Sequence, residues 1–204
     1  INPQKLRRSM ERTHRWEQRS LAAHQADPRD QSLYAVVHGG IDPKLRRMSA
    51  QFLGKLPFDG YGIGGSVGKN RDEMRDMLAV TAPELPEDKP IHLLGIGDLP
   101  SIDLAIPFGI DTFDSSHPTK CARHGLLYNQ TQHIRITTSK WATHFRPIEE
   151  DCTCYTCQNF TVGYLHHLFK AHEYTYATLA SIHNISYMMR LMERYRLAIL
   201  EDRV

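Results

Sequence analysis

Three cysteines lie close together in the chain, and a histidine follows them at a spacing that suits a metal site. Cys152, Cys154 and Cys157 offer thiolates, and His183 offers an imidazole nitrogen. These are ligands that zinc takes in tetrahedral protein sites. Because protein side chains would fill all four positions, we expect a structural Zn²⁺ that ties the cysteine loop to a distant helix.

A disulfide is the alternative use of these thiols, with Cys121 as the fourth cysteine. Disulfides are common in small secreted domains. The first residues do not resemble a signal peptide, and three neighbouring thiols are poorly placed to pair with one another. No stretch approaches the ~20 apolar residues of a membrane span. We therefore expect no membrane association, a reducing cytoplasmic setting and an unbridged Cys121 thiol.

A second set of residues that could do chemistry lies at the ends of predicted strands. The set comprises His38, Gly64, Gly65, Ser66, residues 95–97 and Asp114. Parallel strands present their carboxyl ends at one edge of a sheet, so these residues should face a common cleft. Taken singly, a glycine pair is usually a turn, and an aspartate after a strand is often a helix N-cap.

Phosphate binding is another use of glycines at strand ends. Residues 62–65 lack the third spaced glycine of a dinucleotide-binding loop, and no Gly-Lys-Ser/Thr motif follows, since Asn70 comes after Lys69. The glycines are better suited to letting backbone groups approach a flat ring.

Hydrophobic periodicity predicts alternating helices and strands as far as Asp114. The predicted helices cover residues 9–24, 43–53, 72–80 and 101–107, and the predicted strands cover residues 32–37, 60–63, 91–95 and 110–113. Repeated units of this size favour a parallel sheet with crossover helices.

Length and composition are those of an ordinary globular protein. The 204 residues are 41% hydrophobic and carry a formal net charge of only +2. This is enough chain for one sizeable core, and the charge balance alone does not indicate a nucleic-acid partner. The basic clusters at residues 5–8 and 44–47 are either solvated helix faces or RNA contacts.

Several motifs together resemble the tRNA-guanine transglycosylases of the bacterial type, the queuine tRNA-ribosyltransferase family. Besides the cysteine cluster, the motifs are FDGY (58–61), IGGSVG (63–68), GIDTFD (109–114), PT (118–119), ARHG (122–125), YLHHL (164–168) and IHN (182–184). Their order and spacing extend the resemblance along nearly the whole chain.

The resemblance implies an α/β fold of the (β/α)8 TIM-barrel type with a zinc-binding α/β insertion. It implies that only the C-terminal part is present, with barrel strands and helices in residues 1–140 and the zinc module with its following helices in residues 141–204. It further implies exchange of guanine for queuine or 7-aminomethyl-7-deazaguanine at the wobble position of tRNAs with GUN anticodons, as in queuosine modification, by a homodimer.

The resemblance also implies roles for single residues. Asp114 matches the nucleophile that attacks ribose C1′, a reaction within the reach of a carboxylate. Gly65 matches the glycine whose amide reads the base carbonyl, within the loop that Gly64 and Ser66 share. Arg123 matches a residue near the anticodon phosphates, and Lys120 replaces a common arginine there, keeping the charge without bidentate geometry.

The chain departs from the family pattern in three ways. His38 stands where a glutamine usually contacts the guanine edge, which adds a titratable group. The glycine loop is one residue shorter than in the family, because Gly65 runs directly into Ser66. The shorter loop leaves more room, so both queuine and 7-aminomethyl-7-deazaguanine are possible substrates, and queuine is favoured. The chain starts where a full member is nearly half complete, beyond the family's acid/base and base-reading aspartates. We expect a piece of the enzyme, since half a barrel exposes strand edges.

Two other classes remain as alternatives. The first is a non-catalytic RNA-binding accessory subunit or truncated homologue of the same family, which would not need the carboxylate of Asp114. The second is a zinc-braced barrel hydrolase of other specificity.

Overall fold

The computed structural model describes residues 2–203, which fall into two compact units. The first unit runs to Ser115 and the second begins at Ser116. The units therefore divide earlier in the chain than the predicted division between residues 140 and 141. That division into barrel elements and zinc module follows the family's architecture and stays a prediction.

The first unit alternates helices with strands in the predicted order. Its elements are α1 (Pro3–Ala26), β1 (Tyr34–Val37), α2 (Pro43–Leu53), β2 (Gly60–Ile63), α3 (Arg71–Thr81), β3 (Ile91–Leu93), α4 (Leu99–Ala105) and β4 (Thr112–Phe113), with 3₁₀ turns at Ala82–Glu84 and Ile106–Phe108. The strands form one sheet in the order β1-β2-β3-β4, and every neighbouring pair is parallel. This confirms the predicted parallel sheet with crossover helices.

Capping side chains decide where the helices begin. Asp42 accepts hydrogen bonds from backbone N–H groups in the first turn of α2, which starts at Pro43 as predicted. Asn2 caps α1 in the same way, so α1 starts at Pro3 and not at the predicted residue 9. The prediction for α1 was wrong because the Asn-Pro pair, an N-terminal signal in itself, was not taken into account.

β4 is shorter than the predicted strand at residues 110–113. The Oδ2 atom of Asp111 accepts a hydrogen bond from the backbone N–H of Ile91 at 2.7 Å. The Asp111 carboxylate therefore takes the place of a backbone carbonyl as the acceptor for Ile91. Regular strand pairing begins only at Thr112, opposite His92. β1 and β3 are likewise shorter than predicted, and α4 gives way to a 3₁₀ turn near its predicted end.

The sheet is the centre of the first unit's hydrophobic core. All four residues of β2 are buried, and Ala35, Val37 and Leu93 of the flanking strands are fully buried. Helix residues such as Leu53 and Leu78 pack against them. Burial of this kind fixes the strands in register, and with them the positions of the loops at their carboxyl ends.

The second unit is mainly helical. Its elements are α5 (His117–Arg123), β5 (Leu126–Leu127), β6 (Ile134–Arg135), α6 (Tyr155–Asn159), α7 (Val162–Lys170) and α8 (Tyr174–Leu200), with a 3₁₀ turn at Ser139–Trp141. β5 and β6 form an antiparallel pair. No helix within residues 2–203 is long and apolar enough to cross a membrane.

Polar side chains of α8 explain why α5 belongs to the second unit. The Nδ2 group of Asn184 donates to the carbonyls of Pro118 and Leu126, at 3.1 Å and 3.0 Å. The Tyr176 hydroxyl donates to the carbonyl of Ala122 at 3.0 Å. Both donors are buried, so these contacts join α5 to α8 far along the chain.

Candidate functional site

Asp114 lies directly after β4, at the carboxyl edge of the sheet. Its Oδ1 atom accepts hydrogen bonds from the backbone N–H of Gly95 at 2.9 Å and from Nε2 of His92 at 3.0 Å. The Gly95 and His92 hydrogen bonds hold the pKa of Asp114 below its usual value. The side chain is 60% exposed. Asp114 is thus an ionised, accessible carboxylate that is held through one of its two oxygens.

Asp114 is not a helix cap. The next helix, α5, begins at His117, and the residue before it is Ser116. Asp114 therefore does not have the N-cap role that is common for an aspartate after a strand. Its side chain instead hydrogen-bonds to His92 of β3 and to Gly95 in the loop after β3.

The other strand-end residues lie at the same edge of the sheet. Gly64 continues the β1–β2 ladder, donating its N–H to the Val37 carbonyl at 3.2 Å. Gly65 has a left-handed φ of +73°, and a β-carbon there would lie 3.3 Å from Nδ1 of His38. His38 and the glycine loop are therefore neighbours, as the predicted common cleft requires. Ser66 is exposed beside them.

His38 is half-buried at the end of β1. Burial lowers its pKa, and the nearby charge of Arg46 lowers the pKa further. The ring is therefore neutral near pH 7, with one nitrogen donating and the other accepting. Such a ring presents the same pair of hydrogen-bonding functions as the amide of glutamine.

Arg46 on α2 is a buried cation that joins the segment at the end of β1 to the glycine loop after β2. Its Nε donates to the Gly40 carbonyl at 2.7 Å, its Nη1 to the Val37 carbonyl at 3.0 Å and its Nη2 to the Ser66 carbonyl at 2.8 Å. The side chain is fully buried, and burial lowers its pKa to about 10. The guanidinium stays charged and fixes the end of β1 against the glycine loop.

We expect the Arg46→Met variant to lose about 2–4 kcal/mol of unfolding free energy, because three backbone carbonyls each lose a donor and two of these hydrogen bonds are buried. The matched control is Arg47→Met. Arg47 is half-exposed and its ion pair with Glu84 lies at the surface, so that variant should lose less than about 1 kcal/mol. Urea unfolding of both variants measures the difference. Equal losses would contradict the assigned role of Arg46.

The four predicted metal ligands meet in the second unit. The Sγ atoms of Cys152, Cys154 and Cys157 lie 3.8, 3.6 and 3.3 Å from Nδ1 of His183. All four ligand atoms lie within 4.8 Å of one another, and all four residues are buried. Tetrahedral ligands bound at zinc distances lie about 3.3–3.8 Å apart, so the cluster could hold a metal ion of this size.

The surroundings of the cluster suit a bound cation. Nε2 of His183 lies 2.8 Å from the Tyr128 carbonyl; donating there leaves Nδ1 as the unprotonated ligand atom. Burial raises the pKa of Cys154 and Cys157. Burial raises that of Cys152 too, but hydrogen bonds from the neighbouring cysteines outweigh it, so its pKa is lowered. A metal would therefore displace protons from at least two thiols.

Cys121 takes no part in the cluster. It lies half-buried on α5, with its Sγ atom 3.3 Å from Nε2 of His117. All four cysteines are unbridged. The disulfide alternative is therefore not the arrangement of this structure.

Lys120 and Arg123 lie on α5 and are both exposed. They are three positions apart, so they project from neighbouring places on the helix surface. Neither takes part in an ion pair among the described residues, and both charges are available to a partner.

Three residues near the sheet edge were not predicted from the sequence: His92, Thr112 and Arg46. Arg46 had a detectable signal in the helical periodicity. It lies three residues before Ser49 and seven before Leu53, which places its charge on the buried face of α2. His92 had only a weak signal, as the one polar residue of the apolar run in β3. Thr112 lies within the GIDTFD motif, but nothing local in the sequence indicates that it contacts His92.

These features define an α/β protein with an ionised carboxylate at the carboxyl edge of a parallel sheet and a Cys₃His cluster in its second unit. The family model described as queuine tRNA-ribosyltransferase matches residues 1–204. The chain belongs to the queuine tRNA-ribosyltransferase family.

Curated relatives support this membership. The queuine tRNA-ribosyltransferase of Protochlamydia amoebophila is 57% identical over 97% of this chain and 51% of the relative. That of Chlamydia felis is 50% identical over 96% of this chain and 53% of the relative. That of Chlamydia trachomatis serovar D is 46% identical over 100% of this chain and 55% of the relative. The chain thus spans about half the length of these relatives.

Proposed function

We propose that the protein is a tRNA-guanine transglycosylase, a pentosyltransferase that exchanges guanine at the anticodon wobble position for a 7-deazaguanine base. The observation that carries this proposal is the ionised carboxylate of Asp114 at the sheet edge, held by Gly95 and His92 in a chain of the queuine tRNA-ribosyltransferase family. The parallel sheet would be the C-terminal part of the family's (β/α)8 barrel.

Asp114 would act as the nucleophile. Its carboxylate attacks ribose C1′, the bond from C1′ to guanine N9 breaks, and guanine leaves with the bonding electrons and takes up a proton. The N9 atom of the incoming base then attacks C1′, loses its proton and releases the carboxylate. Two inversions return the original configuration. The target nucleotide must leave the base stack to reach the carboxylate.

The loop of Gly64, Gly65 and Ser66, together with His38, would bind the base. The proximity of His38 to Gly65 supports this, because one wall then offers a neutral imidazole beside the exposed residues Gly65 and Ser66. The short loop favours queuine over the smaller 7-aminomethyl-7-deazaguanine, since it leaves more room for the substituent at position 7.

We expect His38→Ala to reduce the specificity constant for the incoming base by on the order of 100-fold, with tRNA affinity nearly unchanged, because a hydrogen-bonding site for the base is lost. The control is His38→Gln, which restores a side-chain donor and acceptor and should retain most of the activity. Base incorporation and tRNA binding are measured on the same preparations. Equal losses of both in His38→Ala would argue against a base-binding role.

The remaining proposals concern partners and the metal. Lys120 and Arg123 would contact anticodon phosphates of tRNAs with GUN anticodons, and their exposed, unpaired charges support this. The Cys₃His cluster would hold a structural Zn²⁺, whose chemistry is to cross-link the second unit. Its four protein ligands leave no position for substrate. We further propose a homodimer that acts in the cytoplasm.

The accessory-subunit alternative is not favoured. The relatives are named as ribosyltransferases, and a binding scaffold has no need of a hydrogen-bonded carboxylate at the sheet edge. The hydrolase alternative has no support from the comparisons.

Labelled-base incorporation tests the proposed function. The full-length protein is incubated with unmodified tRNA and either labelled guanine or labelled queuine, and the label in the RNA is counted. Incorporation of both, with queuine preferred, is the expected result. tRNA binding without incorporation of either base would overturn the transglycosylase in favour of the accessory subunit.

A further inference from the structure

The ring of His92 lies between two side chains of the neighbouring strand. Its Nδ1 is 2.8 Å from Oγ1 of Thr112, and its Nε2 is 3.0 Å from Oδ1 of Asp114. The parallel register explains both contacts, because Thr112 is the register partner of His92 and Asp114 lies two residues further on the same face. The His92 side chain of β3 thus joins Thr112, in β4, to the carboxylate that follows this strand.

The positions of the hydrogens on the His92 ring follow from its contact with the Asp114 carboxylate. An ionised carboxylate can only accept, and Oδ1 of Asp114 already accepts from the Gly95 N–H. Nε2 of His92 must therefore carry a hydrogen to make its contact. In the neutral ring Nδ1 is then an acceptor, and the Thr112 hydroxyl is the donor that fits it. Thr112 fixes the tautomer of the ring, and the ring fixes the orientation of the carboxylate.

Both hydrogen bonds converge on a single oxygen of Asp114. Gly95 approaches Oδ1 from the backbone of the loop after β3, and His92 approaches it from the strand. His92 is 22% exposed and Asp114 is 60% exposed, so a largely buried ring holds a carboxylate that stays accessible. Within residues 2–203 no group donates a hydrogen bond to Oδ2, so that oxygen keeps its lone pairs for an electrophile.

We propose that His92 is a positioning residue for Asp114, which it holds through Oδ1 so that Oδ2 is the attacking atom, and that Thr112 supports it by selecting the Nε2–H tautomer. The proposal rests on the proposed function, since it assigns the supporting residues of the same nucleophile. The physical gain is orientation, because a carboxylate free to turn at an exposed position spends little time aligned with C1′.

Paired substitutions test the proposal in the full-length protein. His92→Phe removes both contacts. His92→Asn places an amide near the position of Nδ1, within reach of Thr112 but short of Asp114, whereas His92→Gln places an amide near the position of Nε2. Thr112→Val removes the hydroxyl, and Thr112→Ser keeps it. Each variant is mixed with tRNA, and the rate of covalent adduct formation in a single turnover is measured beside the affinity for tRNA.

We expect His92→Phe and His92→Asn to slow adduct formation by on the order of 100-fold, with tRNA affinity changed less than about twofold. His92→Gln should recover most of the rate. Thr112→Val should slow the step by about 10-fold and Thr112→Ser should not, because only the hydroxyl selects the tautomer. Thermal melting of each variant shows whether it is folded. If His92→Phe unfolds, the positioning role is tested by comparing His92→Gln with His92→Asn and Thr112→Ser with Thr112→Val.

The outcomes separate this inference from the function on which it rests. If the unsubstituted protein forms no adduct, the proposed function fails. If it forms the adduct, and His92→Asn or Thr112→Val forms it as fast as the matched His92→Gln or Thr112→Ser, the positioning role is overturned and the function stands.

Discussion

The Asp114→Asn variant is expected to lose base exchange by on the order of 10⁴-fold or more while binding tRNA as tightly as the unsubstituted protein. Asparagine has nearly the shape of aspartate but cannot form the ester-like bond to C1′ that carries the ribose between the two bases. Because the side chain is exposed and makes its contacts through one oxygen, the fold should tolerate the change. Guanine incorporation and tRNA affinity are measured on the same sample.

The control for this substitution is Asp76→Asn. Asp76 is an exposed aspartate on α3, and it lies in the same unit as Asp114. Removing its charge should change exchange by less than about twofold, because it lies outside the sheet-edge loops. Residual exchange above about one per cent in Asp114→Asn, with the control unaffected, would mean that another group carries the ribose.

The second large effect is expected in the metal cluster. Cys154→Ser should bind substantially less than one zinc ion per chain and lower the melting temperature by on the order of 10 °C or more, because metal binding energy is folding energy in such sites. Cys154 also accepts a hydrogen bond from the Cys157 N–H at the start of α6. Serine is a good N-cap, so loss of the cap would not account for the effect. Metal analysis and thermal melting make the measurement.

Cys121→Ser is the matched control, since it removes the one thiol outside the cluster. It should retain the metal and melt within a few degrees of the unsubstituted protein. Full zinc content together with unchanged melting in Cys154→Ser would refute the metal site, and equal destabilisation by both substitutions would show only that the thiols are packing groups.

The elements of the first unit could be predicted because their signals are local. Helix α2 matched its predicted bounds, since Asp42 and Pro43 form a cap that can be recognised from two adjacent residues. The cysteine cluster was predictable for the same reason, because three of its ligands lie within one short loop. The placement of the four strand ends at one edge followed from their parallel order.

The remaining features depend on contacts between distant parts of the chain. The role of His92 arises only from the register of β3 on β4, which sets it opposite Thr112. Arg46 was missed because an arginine next to another arginine is normally a surface residue, and its three carbonyl partners lie in two separate segments, residues 37–40 and the loop at Ser66. The early division of the units likewise depends on Asn184 of α8 reaching α5.

The proposed reaction requires a covalent bond between Asp114 and the ribose of the wobble nucleotide. The full-length protein is incubated with unmodified tRNA in the absence of free base and quenched in denaturant; the RNA-linked protein is then digested and the modified peptide is sequenced by mass spectrometry. We predict a single ribose adduct at Asp114. An adduct at another residue, or base exchange without any adduct, would contradict the role of Asp114 as nucleophile.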